Sequence, residues 1–475
     1  MEVTISSMTC ARTVSLFDVG SRISERECAS PGIQRLQSLL RTRAITGKPG
    51  DLSIRSNFAI ISLSPRVMLM TTQAHDDFRV LMTGSSGSGK TTFLAAMYEY
   101  LSTIRPETGF FLTESGEHTP LLVREFNKLR NGTFPPPTEH EQWAEMVFTT
   151  KVIGGGRTYD ACRFTYYDYA GGQFTGDKPN ETARAEQAHR ALLDSIGHAH
   201  SILGMIDGQK LLYAISPPTI VGPDAIRKGV SELLYTDLPL IVEAIQRNEG
   251  QPIIHFVISK WDILETAGVT LSQVKKLLLS VEKFRSCLEL HPAGATARLI
   301  PVSAVGKGFA KIRQGNDPMK FEMVIEPSAQ PKPFQVEMPL ACVLPDYISV
   351  LKREVDAELA EAQKVNTEVR VKSGFLWWRK VLDFAGRAGR TLLPPRIAEG
   401  PRAQKLLELL ARPAAKSREE AAAQMAELER EKNSIVSGIQ GRDDAFHVAA
   451  LAFKRLATQL NDRFPDSEIS FSRVS

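Results

Sequence analysis

Residues 83–92, TGSSGSGKTT, carry no side chain able to build a core, yet they lie between two strongly patterned stretches. An apolar run, FRVLMT, precedes them and an amphipathic one, TTFLAAMYEYLSTI, follows. Gly-x-x-x-x-Gly-Lys-Thr between a strand and a helix leaves the backbone few options. Glycines let the chain curl so that successive N–H groups point inward, and the following helix adds partial positive charge at its N-terminus. The result is a cradle for phosphate oxygens at the mouth of an α/β unit. Gly84, Ser85, Ser86, Gly87, Ser88 and Gly89 would line it with backbone, and Thr92 would sit in the first helical turn. Lys90 would reach the β- and γ-phosphates and stabilise transferring charge, and the Thr91 hydroxyl would bind Mg²⁺. The bland alternative is a flexible glycine-rich loop.

The rest of the chain agrees with an α/β unit. Apolar runs CRFTYYD, SILGMID, PIIHFVIS and ARLIPVS alternate with helical patterns such as TARAEQAHRALLDSIG and LSQVKKLLLSVEKFRSCLEL. Near-continuous apolar strands separated by helices predict a mostly parallel, buried sheet with helices on both faces, a three-layer domain over residues 76–345. Beyond residue 345 the strands are expected to stop. Residues 347–372 and 401–460 are rich in Ala, Glu, Leu, Lys and Arg at helical spacing and predict an α-helical C-terminal region over residues 346–475. Residues 1–75 show no sustained periodicity and are expected to be a disordered extension. Met68 and Met70, just ahead of the first strand, raise the alternative that translation starts there.

The base attached to the phosphates is addressed by a second motif. FVISKWD ends a buried strand in Ser259-Lys260-Trp261-Asp262. An aspartate there can accept two hydrogen bonds, from guanine N1–H and the N2 amino group. Adenine offers neither and would leave the carboxylate desolvated and unpaired. The Lys260 stem would lie over the base. The alternative is a strand-end salt bridge. TYYDYAGG supplies Asp168-x-x-Gly171 at another strand end, where the carboxylate would hold Mg²⁺ through water and the Gly171 N–H would touch the γ-phosphate. IPVSAVG puts Ser303 and Ala304 after the last strand, with the Ala304 N–H available to guanine O6. Asp207 also ends an apolar strand, but no glycine follows at the Asp-x-x-Gly spacing, so it ranks below Asp168. His198 and His200 have no suitably spaced partner for a metal and read as residues ahead of a strand.

This ordered set resembles the translation-factor-related (TRAFAC) class of P-loop GTPases. Within it, NGTFPPPTEHE, DYAGGQF, a helical insertion after GMIDGQ and the closing FQVEMPL resemble bacterial double-GTPase (DO-GTPase) domains. The resemblance covers residues 76–345 and implies a GTP- and GDP-binding, Mg²⁺-dependent switch. It makes Thr138 the switch threonine that would reach Mg²⁺, with Thr133 the rival. It also exposes a departure. The water-orienting glutamine is expected directly after Asp-x-x-Gly, but Gly172 stands there and Gln173, the candidate catalytic residue, comes one position late. Slow GTP hydrolysis is one reading; a nucleotide-sensing scaffold without turnover, or an ATPase, are the alternatives.

Composition narrows the partners. A net charge of +4, with no dense basic stripe, argues against nucleic acid. Five widely spaced cysteines fit free thiols in a reducing cytoplasm. The stretch VKSGFLWWRKVLDFAGRAGRTLLPPR interleaves Trp377 and Trp378 with Arg379, Lys380, Arg387 and Arg390. It predicts a helix docking on its neighbours, with a peripheral membrane surface through residues 371–400 or an acidic partner as alternatives. The helical region as a whole is expected to meet a protein partner.

Overall fold

The computed structural model describes residues 77–114, 116–135, 143–169, 193, 196–215, 223–248, 252–291, 296–314, 321–365 and 401–469. The expected disordered extension and the aromatic-basic segment 371–400 lie outside these residues.

Five apolar segments become the middle of one eight-stranded sheet. Its strands are β1 (Asp77–Thr83), β2 (Phe111–Glu114), β3 (Trp143–Gly154), β4 (Arg157–Tyr169), β5 (Ser201–Asp207), β6 (Ile253–Ser259), β7 (Ala297–Pro301) and, after a separate hairpin of β8 (Ala310–Gln314) and β9 (Phe321–Ile325), β10 (Glu468–Ile469). The order across the sheet is β10-β7-β6-β5-β1-β4-β3-β2. Strands β4, β1, β5, β6 and β7 run parallel, whereas β2, β3 and β10 are antiparallel to their neighbours. Every residue of β5 and of β6 is buried, as a sheet covered on both faces requires. Between β3 and β4, Gly155 and Gly156 have φ of 56° and 75°, the left-handed pair that closes a tight hairpin without splaying its strands.

Alternate residues of the sheet feed two cores. Val80 and Met82 of β1 face one and Leu81 faces the other. The first core is covered by α1 (Lys90–Leu101) and α2 (Thr119–Arg130). The second is covered by α3 (Gly208–Ile215), a π-helical turn (Leu233–Asp237), α5 (Leu238–Gln246), α6 (Trp261–Thr266), α7 (Leu271–Ser280) and α8 (Glu282–Glu289), with α4 (Pro223–Glu232) packed on α3. The fold is thus α/β with a mostly parallel sheet and a C-terminal helical region.

That helical region sits differently from the expectation. A single helix, α9 (Met338–Val365), runs straight through residue 345. It is followed by α10 (Pro401–Leu410), α11 (Arg418–Val436) and α12 (Arg442–Arg463). Leu340, Leu344, Leu407, Leu428, Phe446 and Phe453 from these helices all join the first core. Phe453 packs between Phe110 and Phe164, at centroid separations of 4.7 and 5.8 Å. Strands do not stop after residue 345 either, because β10 closes the sheet edge against β7. An α12 buried on most of its circumference belongs to a core, and its Ala-rich sequence lets it approach the sheet closely.

A buried ion pair ties these layers together. The Arg298 guanidinium of β7 grips Asp346 of α9 in two places, Nε to Oδ2 at 2.5 Å and Nη2 to Oδ1 at 2.8 Å. Its Nη1 donates to Asn461 Oδ1 of α12 at 2.7 Å. Burial alone would raise the Asp346 carboxyl, yet the Arg298 guanidinium holds it far below the ordinary carboxylate range. Among the described residues no helix is long and apolar enough to cross a membrane. Replacing Asp346 by Ala leaves the buried guanidinium only the more exposed Glu468 carboxylate and should destabilise the protein by about 3 kcal/mol in a urea or guanidinium titration.

Candidate functional site

The chain leaves β1 at the carboxyl edge of the sheet and turns back into α1. At Gly84 φ is 152°, and a Cβ would lie 2.6 Å from the Met205 carbonyl oxygen of β5. Only glycine lets the loop pass that strand. Gly87 and Gly89 take φ of 77° and 91°, and Ser86 and Gly87 form the exposed tip. Gly89 opens α1 with no side-chain cap, and no acidic residue sits in the helix's first turn. The positive end of the dipole is therefore not offset by any side chain of that turn. Lys90 is buried and folds back over the loop, its Nζ donating to Gly84 O at 2.9 Å and Ser85 O at 3.1 Å. Those carbonyls occupy the lysine as phosphate oxygens would. The fully buried Ser88 hydroxyl has no hydrogen-bond partner, a condition that costs about 1–3 kcal/mol unless a ligand supplies one.

A second group forms where β6 and β7 end. Lys260 takes a left-handed conformation, φ 51°, which is uncommon for a residue with a side chain. This turn carries the chain into α6, so that Asp262 is buried against the segment after β7. Ser303 Oγ donates to Asp262 Oδ1 at 2.6 Å, and the Ser303 oxygen in turn accepts from the Gly306 N–H at 2.7 Å. Ala304 is half-buried beside it. Burial pushes the Asp262 carboxyl up from its ordinary value, against the pull of the Ser303 hydroxyl. A carboxylate has room for about four hydrogen bonds, and this one draws on the Ser303 hydroxyl and its own backbone N–H, which leaves capacity for more.

Strand β5 joins the two groups. Asp207 at its end accepts from Lys260 Nζ at 2.6 Å and from the Gln209 N–H at 2.8 Å. A Cβ on Gly208 would lie 2.3 Å from Ser259 O, so this turn presses directly on the end of β6. Three residues past Asp207, Lys210 Nζ reaches Ser85 Oγ of the loop at 3.1 Å. Polar contacts thus link Ser85 to Lys210 and Asp207 to Lys260, from positions three residues apart on the turn that leaves β5. The loops leaving β1 and β5 turn to opposite faces, into α1 and α3, so the chain direction switches at this edge of the open sheet.

The remaining candidates divide. Asp168 lies on β4 with its Cα opposite Met82 of β1, next to the start of the loop. Its side chain, and Thr138, Gly171, Gly172 and Gln173, lie outside the described residues. Thr133 is exposed after α2, its N–H donating to Lys128 O at 2.9 Å. His200 Nδ1 accepts from the Arg79 N–H at 3.0 Å, a contact that pins the entry to β5. Among the described residues no group of three or more His, Cys, Asp or Glu is arranged to hold a metal ion. Asp207 as the partner of Lys260, and Lys210 with its contact to the loop, were not foreseen. The only sequence signal for either is a polar Asp-Gly-Gln-Lys run closing a fully apolar strand.

No family model matches the chain, and no curated protein matches it.

The buried Asp262 carboxyl gives a prediction with a definite sign. Its pKa is raised in the fold, so ionisation destabilises the protein at neutral pH. Asp262→Asn should therefore be more resistant to urea than the parent at pH 7. The difference should shrink as pH falls below the ordinary carboxylate value, where the unfolded chain is also protonated.

Proposed function

We propose that the chain binds guanine nucleotides with Mg²⁺ and acts as a nucleotide-dependent switch, a P-loop GTPase of the class its motifs resemble. The observation that carries this is the junction of two sites along one sheet edge. One is the glycine loop with its buried lysine and unsatisfied hydroxyl. The other is the buried Asp262 carboxylate held by Ser303, 41 residues away in sequence. In this reading the amides of residues 84–91 and the Lys90 ammonium hold the phosphates. The Asp262 carboxylate accepts from guanine, the Lys260 stem covers the ring, and the Ala304 N–H meets O6.

Thr91 and Asp168 would hold Mg²⁺. A hydroxyl and a carboxylate suit a hard cation that keeps several waters and takes the rest of its ligands from phosphate. When bound, the ion would neutralise charge on the β- and γ-phosphates. Hydrolysis would be slow, because Gly172 stands where the water-orienting glutamine is expected and Gln173 follows it. A guanine-nucleotide sensor without turnover is the second reading that this same arrangement favours. The C-terminal helices share a core with α1, so they would carry the loop's state towards a protein partner.

Calorimetry with Mg²⁺ present tests the binding. GTP and GDP should bind at least about a thousandfold more tightly than ATP, since adenine leaves the buried carboxylate unpaired. Lys90→Ala should weaken GTP by about tenfold or more through loss of a charged hydrogen bond. Equal affinity for adenine and guanine would overturn the reading. Single-turnover hydrolysis then separates the slow enzyme from the sensor.

A further inference from the structure

We propose that Lys210 and Asp237 form a positioning latch that sets the conformation of the glycine loop from behind, through Ser85. The inference rests in part on the nucleotide reading above, because the latch's consequence is slow nucleotide release.

The latch is built from three elements that meet only in the fold. Lys210, in the first turn after β5, has its ammonium 3.1 Å from Ser85 Oγ, 2.8 Å from Asp237 Oδ1 and 3.3 Å from Glu232 Oε2. Asp237 is fully buried, and Ser85 is nearly so. Asp237 closes the π-helical turn Leu233–Asp237 between α4 and α5. A π turn carries one more residue than an α-helical one. Such turns are frequent at functional sites, and here the turn ends on the carboxylate that meets the lysine. Tyr235, on the same turn, points to solvent at 72% exposed.

Lys210 is held above its ordinary pKa, because although burial would lower it, the carboxylates of Asp237, Glu232 and Asp207 outweigh that effect. The ammonium therefore stays charged and stays put. With Asp237 in place, Lys210 is drawn under the loop and fixes the Ser85 hydroxyl, and with it the curl of the backbone that follows Gly84. Loss of Asp237 leaves the lysine to the more exposed Glu232, which draws it away from the loop, and the loop loses its support on the β5 side. Arg298 and Asp346 form the other well-buried ion pair considered above, but they join β7 to α9 and touch no residue of the loop.

Four proteins test the latch: the parent, Asp237→Asn, Ser85→Ala, and the double variant Lys210→Met/Asp237→Leu. Each is measured for urea midpoint, for release of a fluorescent GDP analogue in stopped flow, and for deuterium uptake of residues 83–92 without nucleotide. Asp237→Asn should raise loop uptake and speed GDP release about tenfold, with little change in association. Ser85→Ala should act in the same direction more weakly. The double variant, which leaves no stranded charge, should recover much of the parental urea midpoint yet still release GDP fast. Release rates that simply track the urea midpoint across the set would reduce the pair to a structural role and overturn the latch, as would unchanged uptake and release in Asp237→Asn. Loop uptake that rises in Asp237→Asn while the parent binds no GDP analogue would uphold the latch and refute the nucleotide reading.

Discussion

Because β1 pairs in parallel with β5 from Val80↔Ser201 to Thr83↔Gly204, the segment leaving Thr83 has to pass the β5 backbone at Met205. Gly84 is the residue that permits this passage, since any Cβ there would meet the Met205 carbonyl oxygen at 2.6 Å. Everything downstream inherits that placement. The loop curls at the carboxyl edge, α1 starts with its dipole end uncapped by a side chain, and Lys90 turns back across the loop carbonyls. The same strand, continuing two residues further, delivers Asp207 to Lys260 and then Lys210 to Ser85. One ladder therefore helps fix the distance between the glycine loop and the carboxylate of Asp262.

The edge stores several unfavourable terms. Asp262 is buried with a single side-chain donor, Ser88 has a buried hydroxyl without a partner, and Lys260 holds a left-handed backbone. Each costs free energy in the folded protein. The stability that tolerates them comes from elsewhere. Two cores flank the sheet, and on one side the C-terminal helices complete the packing, with Phe453 wedged between Phe110 and Phe164 and with Asp346 gripping Arg298. The helical region is therefore part of what holds the sheet rigid beneath the site.

Much of this was legible in the sequence, for a physical reason. Strands buried on both faces must be apolar at every position, so SILGMID is the whole of β5 and PIIHFVIS overlaps β6 by all but its first residue. Glycines required by positive φ announced the loop. Asp262 and Ser303, expected to serve one site, touch each other. What the sequence concealed depends on distant partners. The periodicity of residues 442–463 marks a helix but cannot say that it packs on β4, and a strand of two residues such as β10 has no pattern to read. A π turn is equally silent. Asp237, which ends that turn, meets Lys210 27 residues away.

The central claim is that the carboxylate of Asp262 selects the base while the loop holds the phosphates. An amide at that position donates where the carboxylate accepts, so it should repel the guanine N2 amino group and welcome the xanthine O2. The direct measurement is the affinity of Asp262→Asn for xanthosine and guanosine triphosphates with Mg²⁺ present, on protein shown to be folded. The account predicts that the preference reverses, with xanthosine triphosphate bound more tightly than GTP. A variant that still prefers GTP as strongly as the parent would contradict it.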